Sequence, residues 1–339
     1  MSCHGGGRDR RRIQEGLMKP IRPVTISAIR AARSRIAGTA MRSPLLRLDA
    51  GDAPTELWLK LECLQPIGSF KVRGAANAMA VADAALLEEG VYTGSAGNMA
   101  QGVALAAQRM GVPCRVVVPD TAPRAKLEAI ARLGATAVPL PREEWWSVLC
   151  DHGHPREDGY FVHPVSNPAV IAGNGTIGVE IAEELPDVKA VVVSYGGGGL
   201  SCGIAAALRA LAPGVPVFAA EVETGAPFAA ALEAGVPVEV QHRPSFVDGI
   251  GSTGVLEEMW PQAHSLLAGS VVVSIEEVCE AIRVLAGGAH IVAEGAGSAA
   301  VAAALRGLPG IEEGPVVAVV SGGNIDPQVF RSIMEGRIP

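Results

Sequence analysis

The chain has 339 residues, a formal net charge of −7 at pH 7, 49% hydrophobic residues and 41 glycines. This length is typical of a two-lobed protein or of two domains, and the composition is typical of an α/β protein rather than a disordered one. The acidic balance disfavours a broad basic surface for nucleic acid. No run approaches the roughly eighteen uninterrupted apolar residues of a membrane-spanning helix, so we predict no membrane partner.

The N-terminus and the cysteines bear on the location of the protein. Residues 1–17 are polar and rich in glycine and arginine, and we predict a disordered tail there. No apolar segment follows the arginines, so a secretory signal is not expected. The six cysteines are scattered, without C-x-x-C or zinc-finger spacing. Free thiols in a reducing compartment explain this pattern, and we predict a cytoplasmic protein.

Short apolar segments alternate with helix-like segments from about residue 56 onward. The predicted strands are 56–62, 91–95, 115–119, 136–140, 189–195, 215–221 and 316–320. The predicted helices are 71–85, 99–110, 126–133, 169–185, 200–211, 275–285 and 298–305. The polar stretch 141–159 is interpreted as a lobe boundary or an exposed helix. This alternation is typical of right-handed βαβ units and a mainly parallel sheet that is buried on both faces.

Four glycine-rich loops adjoin these elements. They are SAGNMAQG (95–102), GGGGLSCG (196–203), EGAGS (294–298) and SGGNID (321–326). Ligands of parallel α/β folds gather at the carboxyl ends of the strands, where helices begin. The loops are therefore the candidate binding elements.

The tetraglycine Gly196–Gly199 is the most informative of the loops. Glycines let the backbone approach a ligand, and several N–H groups before a helix can then bind one phosphate. A tight turn is the structural alternative. A nicotinamide site requires G-x-G-x-x-G, but Ser201 and Cys202 stand where a third glycine would be needed. A Walker A loop is excluded because no Gly-Lys-Ser/Thr follows.

Lys71 is one of five lysines in a chain that has 23 arginines. Taken alone, it would be interpreted as a surface lysine at a helix start. The loop Ser95–Asn98 offers free N–H groups suited to a carboxylate, and Gly196–Gly199 offers a phosphate site. A lysine among small residues beside two such anion sites indicates an amine that forms a Schiff base. The cofactor implied is pyridoxal 5′-phosphate (PLP).

Several motifs occur together and in a fixed order. They are GSFKVRGA (68–75), SAGNMAQGVA (95–104), GGGGL (196–200), VDG (247–249), EGAG (294–297) and SGGNID (321–326). In this order the chain resembles the serine/threonine dehydratase (threonine ammonia-lyase) family of fold-type II PLP-dependent enzymes, over roughly residues 20–330.

The resemblance implies the tryptophan synthase β-like fold, with two lobes that each contain a mainly parallel sheet flanked by helices. The large PLP-binding lobe would comprise 18–82 and 169–339, and the small lobe 83–168. A homodimer is the expected assembly.

The resemblance also implies roles for individual residues. Lys71 would hold PLP as a Schiff base, and its freed amine would remove the Cα proton of the substrate. Phe70 would pack near the ring, Asn98 would bond the 3-hydroxyl group, and Ser321 would face the pyridine nitrogen. The phosphate would be bound by Gly196, Gly197, Gly198, Gly199 and Leu200. The substrate carboxylate would be bound by Ser95, Ala96, Gly97, Asn98 and Met99, with Gln101 close by.

The implied reaction is the deaminating dehydration of an L-β-hydroxy amino acid such as threonine or serine to a 2-oxo acid and ammonia. The alternatives are the same chemistry on a bulkier, aryl-substituted substrate, and a β-replacement synthase or racemase on the same fold. A PLP-binding protein without turnover is a further alternative, which an intact Lys71 disfavours.

Three departures from the family pattern affect these expectations. Met99 replaces a family histidine, which suggests a pocket for a bulkier or more apolar β-substituent. Ala96 stands where racemases of the family carry a second serine, which disfavours racemisation. The cation site of some relatives pairs an acid at the position of Glu221 with an aspartate at the position of Pro227, so that pair is incomplete here and the sequence leaves the cation dependence open.

Overall fold

Two β-sheets organise the described part of the chain, which comprises residues 19–49, 51 and 53–339 of a computed structural model. The predicted tail, residues 1–17, lies outside this range. The strands in chain order are β1 (Leu45–Leu48), β2 (Glu56–Leu61), β3 (Val91–Gly94), β4 (Cys114–Pro119), β5 (Thr136–Leu140), β6 (Tyr160–Phe161), β7 (Ala190–Ser194), β8 (Val217–Val222), β9 (Gly269–Val273) and β10 (Pro315–Val320).

Helices cover the faces of both sheets. They are α1 (Ile26–Ile36), α2 (Lys71–Ala80), α3 (Ala84–Glu88), α4 (Asn98–Met110), α5 (Arg124–Arg132), α6 (Arg142–Cys150), α7 (Pro168–Glu184), α8 (Gly199–Leu211), α9 (Pro227–Ala234), α10 (Trp260–Leu266), α11 (Ile275–Val284), α12 (Gly295–Arg306) and α13 (Pro327–Met334). A 3₁₀ turn, Glu62–Leu64, follows β2, and a π-helical turn, Leu285–Ala289, follows α11. None of these helices has the length and apolar character that a bilayer crossing requires.

The larger sheet has six strands in the order β1-β2-β10-β7-β8-β9, and every neighbouring pair is parallel except β1 and β2. The smaller sheet has the order β5-β4-β3-β6 and is parallel throughout. Two mainly parallel sheets flanked by helices are thus confirmed. The strands of the smaller sheet all lie within 83–168, the range predicted for the small lobe, and the division of the chain at those bounds stays a prediction.

The central strands are continuous apolar runs because helices cover both of their faces. All five residues of β7 (AVVVS) and all six of β10 (PVVAVV) are buried. Side chains alternate between the faces, so Val192 packs in one core with Ala300 of α12. Val191 and Val193 pack in the other core with Leu208 of α8. The small residues of α12 and α8 let these helices lie close to the sheet.

Some elements differ from the sequence-based expectation. The helix predicted over 71–85 ends at Ala80, because Asp83 begins a separate short helix by accepting a hydrogen bond from the Ala85 N–H at 2.9 Å. The polar stretch 141–159 contains helix α6. The elements that we did not predict are β1, β6, β9, α1, α3, α9, α10 and α13.

Candidate active site

The loop before Lys71 is tied to the loop after β10 by backbone hydrogen bonds. The Phe70 N–H donates to the Ser321 carbonyl at 3.1 Å, and the Gly323 N–H donates to the Gly68 carbonyl at 2.9 Å. Gly68 has φ +68°, a left-handed conformation that favours glycine. Two motifs that are about 250 residues apart in sequence, GSFK and SGGN, therefore form one wall of the site.

Lys71 begins helix α2 and lies partly buried against this wall. Its Nζ donates to the Pro164 carbonyl at 3.0 Å and lies 5.1 Å from the centre of the Phe70 ring. Desolvation in the cleft lowers the pKa of Lys71 to about 8, although the charge of Glu294 opposes this shift. The neutral fraction of the amine near physiological pH is therefore far larger than that of an exposed lysine, as a nucleophile and base requires.

The Pro164 carbonyl is held in place by a histidine that sequence reasoning did not assign to the site. The Nδ1 atom of His163 accepts hydrogen bonds from the Val165 and Ser166 N–H groups at 3.1 and 2.8 Å. Burial lowers the pKa of His163 to about 3, so the ring stays neutral and keeps Nδ1 as an acceptor. The segment 163–166 is thereby fixed beside Lys71.

The tetraglycine loop joins β7 to α8 and is shaped by close contacts. Gly198 is the N-cap of α8 with φ +91°, and a Cβ atom on Gly197 would lie 2.6 Å from the Val165 side chain. Packing alone does not explain Gly196, because a Cβ atom there would have only ordinary contacts, 3.5 Å or longer. None of the N–H groups of Gly196–Leu200 donates to an acceptor in the described part of the chain. The loop has the form of an anion cradle that side chains would obstruct.

A second set of free N–H groups lies at the start of α4, after β3. The Gly97 N–H donates to the Ser95 hydroxyl at 3.1 Å, and a Cβ atom on Gly97 would meet nothing within 4 Å. Open space in front of a glycine with an ordinary φ of −110° suggests room kept for a ligand. N–H groups that find no acceptor in the described range belong to Ala96, Asn98, Met99 and Ala100.

Asn98 is held between two other polar side chains. Its Nδ2 donates to Glu294 Oε1 at 2.8 Å, and its Oδ1 accepts from Asn324 Nδ2 at 2.8 Å. Sequence reasoning missed Glu294, although its place directly before the Gly-Ala-Gly start of α12 was an available signal. Desolvation, then the nearby charge of Asp248, raises the pKa of Glu294 to about 7.

The remaining predicted residues differ in their exposure. Ser321 follows β10 and is 4% exposed, and Leu200 in the first turn of α8 is 6% exposed. Gln101 is partly buried in the first turn of α4. The Met99 side chain is 2% exposed and packs in the core beside the smaller sheet, so only its backbone faces the loop.

A buried ionic network anchors helix α2, which carries Lys71. Arg73 binds Glu62 at 2.8 Å and Glu180 at 2.6 Å, and Lys60 binds Glu180 at 2.9 Å. The two cations and two carboxylates balance, and each of the four residues is at most 3% exposed. Since Glu62 follows β2 and Glu180 lies on α7, the network fixes α2 against both elements.

Glu221, the candidate cation ligand, is occupied by the protein itself. Its two oxygens accept from the Phe228 and Ala229 N–H groups, both at 2.8 Å, and from the Ser270 hydroxyl at 2.6 Å. Glu221 therefore caps the N-terminus of α9, where Pro227 takes the first position and has no N–H to offer. The residues present do not fit a divalent cation. The described residues contain no group of three or more potential metal ligands.

We expect neither activity nor thermal stability to depend on divalent cations, because two backbone N–H groups and the Ser270 hydroxyl already occupy the oxygens of Glu221. EDTA treatment, followed by magnesium or calcium addition, should change the turnover rate and the melting temperature by less than the error of the measurement. An activity that EDTA removes and magnesium restores would contradict this prediction.

The comparisons with known proteins agree with this geometry. Residues 36–322 match the family described as pyridoxal-phosphate dependent enzyme. The chain is 37% identical over 316 residues to an L-threonine ammonia-lyase from Thermotoga maritima, covering 92% of this chain and 78% of that protein. It is 34% identical over 319 residues to a catabolic L-threonine dehydratase from Staphylococcus aureus, covering 92% of each.

Solved structures show the same fold. Maize serine racemase superposes with a TM-score of 0.85 at 29% identity, covering 93% of this chain and 98% of that chain. The processed threonine deaminase isoform 2 from Solanum lycopersicum superposes with a TM-score of 0.82 at 29% identity, covering 94% and 91%. The family match, the similar relatives, the buried amine of Lys71 and the two anion cradles agree with one another. The chain therefore belongs to the pyridoxal-phosphate-dependent enzymes of the threonine dehydratase family.

Proposed function

We propose that the chain catalyses the deaminating dehydration of an L-β-hydroxy amino acid such as threonine or serine, giving a 2-oxo acid and ammonia. The observation that carries the proposal is the position of Lys71, an amine with a pKa of about 8 at a wall shared by the glycine-rich loops. The names of its relatives, a threonine ammonia-lyase and a threonine dehydratase, support the same chemistry.

The residues present fit PLP. The cradle of Gly196–Leu200 has unpaired N–H groups for a phosphate, and Lys71 is the amine that would hold the aldehyde carbon. When bound, PLP supplies the electron sink that stabilises the negative charge on Cα. Ser321, an uncharged side chain, would face the pyridine nitrogen, and Phe70 would pack near the ring.

Groups of the chain itself would bind the substrate and remove its Cα proton. The free N–H groups of the loop 95–99 would bind and orient the substrate carboxylate, with Gln101 beside them. The neutral amine of Lys71 would then remove the Cα proton, since its lowered pKa leaves it a base near pH 8. The Pro164 carbonyl, which accepts from Lys71 Nζ at 3.0 Å, would keep this amine in place.

Racemisation is the second candidate, because a serine racemase is among the similar structures. Proton delivery to the opposite face of Cα requires a second acid on that face, and the family resemblance implies position 96 for it. Ala96 has no group that can donate a proton. We therefore expect elimination to dominate over inversion.

The test is an assay of the purified PLP-loaded protein against L- and D-β-hydroxy amino acids: serine, threonine and phenylserine. We expect 2-oxo acid and ammonia in equal amounts from L-threonine or L-serine. Conversion of L-serine to D-serine without ammonia would favour the racemase. No product from any member of the panel would contradict the lyase assignment.

Met99 gives a sharper prediction. We expected its side chain to set the size of the β-substituent, but that side chain is buried in the core, so we propose that Met99 contributes its N–H alone. Met99→His would then bury an unpaired imidazole and cost about 1–3 kcal/mol of stability without changing the order of substrates. Melting curves and relative kcat/KM values check this. A shift toward threonine at unchanged stability would show that the side chain faces the substrate.

We also propose a homodimer in the cytoplasm. Exposed apolar side chains at Met41, Leu46 and Leu64 lie near the edge strand β1 and could be covered by a second copy. The free, buried thiols of Cys63, Cys114, Cys202 and Cys279 fit a reducing compartment. Light scattering of the purified protein would show a dimer mass.

A further inference from the structure

A chain of side-chain hydrogen bonds runs through the mouth of the cleft. Asn324 Nδ2 donates to the Ile67 carbonyl at 2.8 Å and to Asn98 Oδ1 at 2.8 Å. Asn98 Nδ2 then donates to Glu294 Oε1 at 2.8 Å. This hydrogen-bond network joins three of the four glycine-rich loops, SAGN, SGGN and EGAG, to Ile67, which precedes GSFK.

The direction of each bond follows from the first one. A backbone carbonyl can only accept, so the amide nitrogen of Asn324 must point toward Ile67. The same nitrogen reaches Asn98, which must therefore present its oxygen to Asn324 and its nitrogen to Glu294. The hydrogen-bond partners of Asn98 thus determine which end of its amide is oxygen and which is nitrogen.

This arrangement leaves Asn98 with one free donor. Its Nδ2 carries two hydrogens, of which one goes to Glu294, and its Oδ1 accepts from Asn324. Without the acceptor at Glu294 the amide would be held only at its oxygen, by Asn324, and could swing about its last torsion, which is soft in asparagine. Glu294 and Asn324 together therefore fix where the remaining N–H of Asn98 points.

Glu294 is suited to this role by its surroundings. It is the N-cap residue of α12, but its side chain makes no cap bond and reaches Asn98 instead. A Cβ atom on Gly322 would collide with its carboxyl group, so the glycine of SGGN leaves the space that the carboxyl fills. The charged or titratable groups that interact electrostatically with Glu294 are Cys63, Lys71, Lys126 and Asp248.

We propose that Glu294 is a positioning residue that holds the free N–H of Asn98 toward the 3-oxygen of the cofactor ring. The proposal rests on the function proposed above and on the bond to the 3-hydroxyl group that the family resemblance implies for Asn98. The 3-oxygen controls the visible colour of the bound cofactor through its proton, so a misdirected Asn98 would change the absorption spectrum as well as the rate.

The test compares Glu294→Leu, which removes the acceptor, with Glu294→Gln, whose amide oxygen can still accept from Asn98. We expect Glu294→Leu to shift the visible absorption maximum or its pH titration and to weaken PLP binding about tenfold, the effect of one lost hydrogen bond. We expect Glu294→Gln to keep the spectrum and to bind PLP within about threefold of wild type. An unchanged spectrum and PLP affinity in Glu294→Leu would overturn the proposal.

A double-mutant cycle with Asn98 separates positioning from general structural damage. If Glu294 acts through Asn98, Glu294→Leu should add little to the effect of Asn98→Leu on PLP affinity, whereas independent effects would add. An additive cycle would overturn the proposal. Glu221→Leu is the matched control, since it also removes a buried hydrogen-bonded carboxylate, and we expect it to lower the melting temperature without changing the spectrum.

The spectra and affinities are recorded without substrate. A wrong substrate assignment would therefore leave this test intact and would be seen only as failure of the amino-acid panel. Conversely, normal turnover of threonine with an additive cycle would contradict the role of Glu294 alone.

Discussion

Replacement of Lys71 by alanine is expected to abolish 2-oxo acid formation, with a loss of about 10⁴-fold or more, because one amine serves as both nucleophile and base. The same variant should lose the visible colour of lysine-bound PLP. Lys189→Ala removes an exposed lysine at the start of β7 and should keep both activity and colour. Measurable turnover in Lys71→Ala, at more than a hundredth of the wild-type rate, would contradict the role given to this residue.

The same amine predicts a pH profile. A lysine whose pKa is lowered from 10.5 to about 8 loses its proton at a pH two to three units lower than an exposed lysine does. At pH 8 about half of the Lys71 amine is neutral; the neutral fraction falls about tenfold per unit well below pH 8 and is nearly complete by about pH 9. The rate at which apoprotein captures PLP should therefore rise from pH 6 to about pH 9 and then level off. A rate that keeps rising through pH 10 would show that the amine is not desolvated.

The second large effect is expected at Arg73. Arg73→Met leaves Glu62 and Glu180 without their main partner, and removing one member of a buried ion pair costs about 3–5 kcal/mol. Denaturant unfolding should show this loss of stability. Arg33→Met is the matched control, because Arg33 pairs with Glu183 at 2.6 Å on the surface, with side chains 40% and 42% exposed. Such a pair contributes about 0–1 kcal/mol.

Arg73→Lys distinguishes geometry from charge. Arg73 donates through Nε, Nη1 and Nη2 to two carboxylates, to Thr176 and to the Met41 carbonyl. A lysine restores the charge but cannot supply this fork of donors, so we expect most of the stability loss to persist. Equal stability of the methionine, lysine and wild-type proteins would contradict the anchoring role of the network.

The parallel-sheet architecture could be predicted from the sequence because its strands are uninterrupted apolar runs. Segments such as AVVVS in β7 have apolar residues on both faces of the strand, which is typical of a sheet that helices cover on both sides. The glycine-rich loops could be located for the same reason, since they follow those runs directly. The two-residue strand β6 and the edge strand β1 carry no comparable pattern, because only Leu48 among their residues is fully buried.

The contacts that build the site could not be predicted in the same way. Asn98 and Glu294 are 196 residues apart, and Arg73 and Glu180 are 107 residues apart. A charged residue in a sequence has no visible partner, so nothing in the sequence pairs Lys60 or Arg73 with Glu180. The fold supplies the missing partners only when α7 and α12 pack against the sheet. The sequence pattern therefore indicated the loops that form the candidate site but not the contacts among their side chains, and it missed His163 and Glu294.

The position of β10 has a consequence for how the chain is made. It is the last strand in the described sequence, yet it lies between β2 and β7 in the middle of the larger sheet. A ribosome-bound chain from which β10 has not yet emerged must expose the unpaired edges of β2 and β7 in the middle of the larger sheet. Such edges pair readily with other chains. Newly made copies of this enzyme should therefore aggregate most readily in the interval before β10 emerges, and chaperones that shield strand edges would act in that interval.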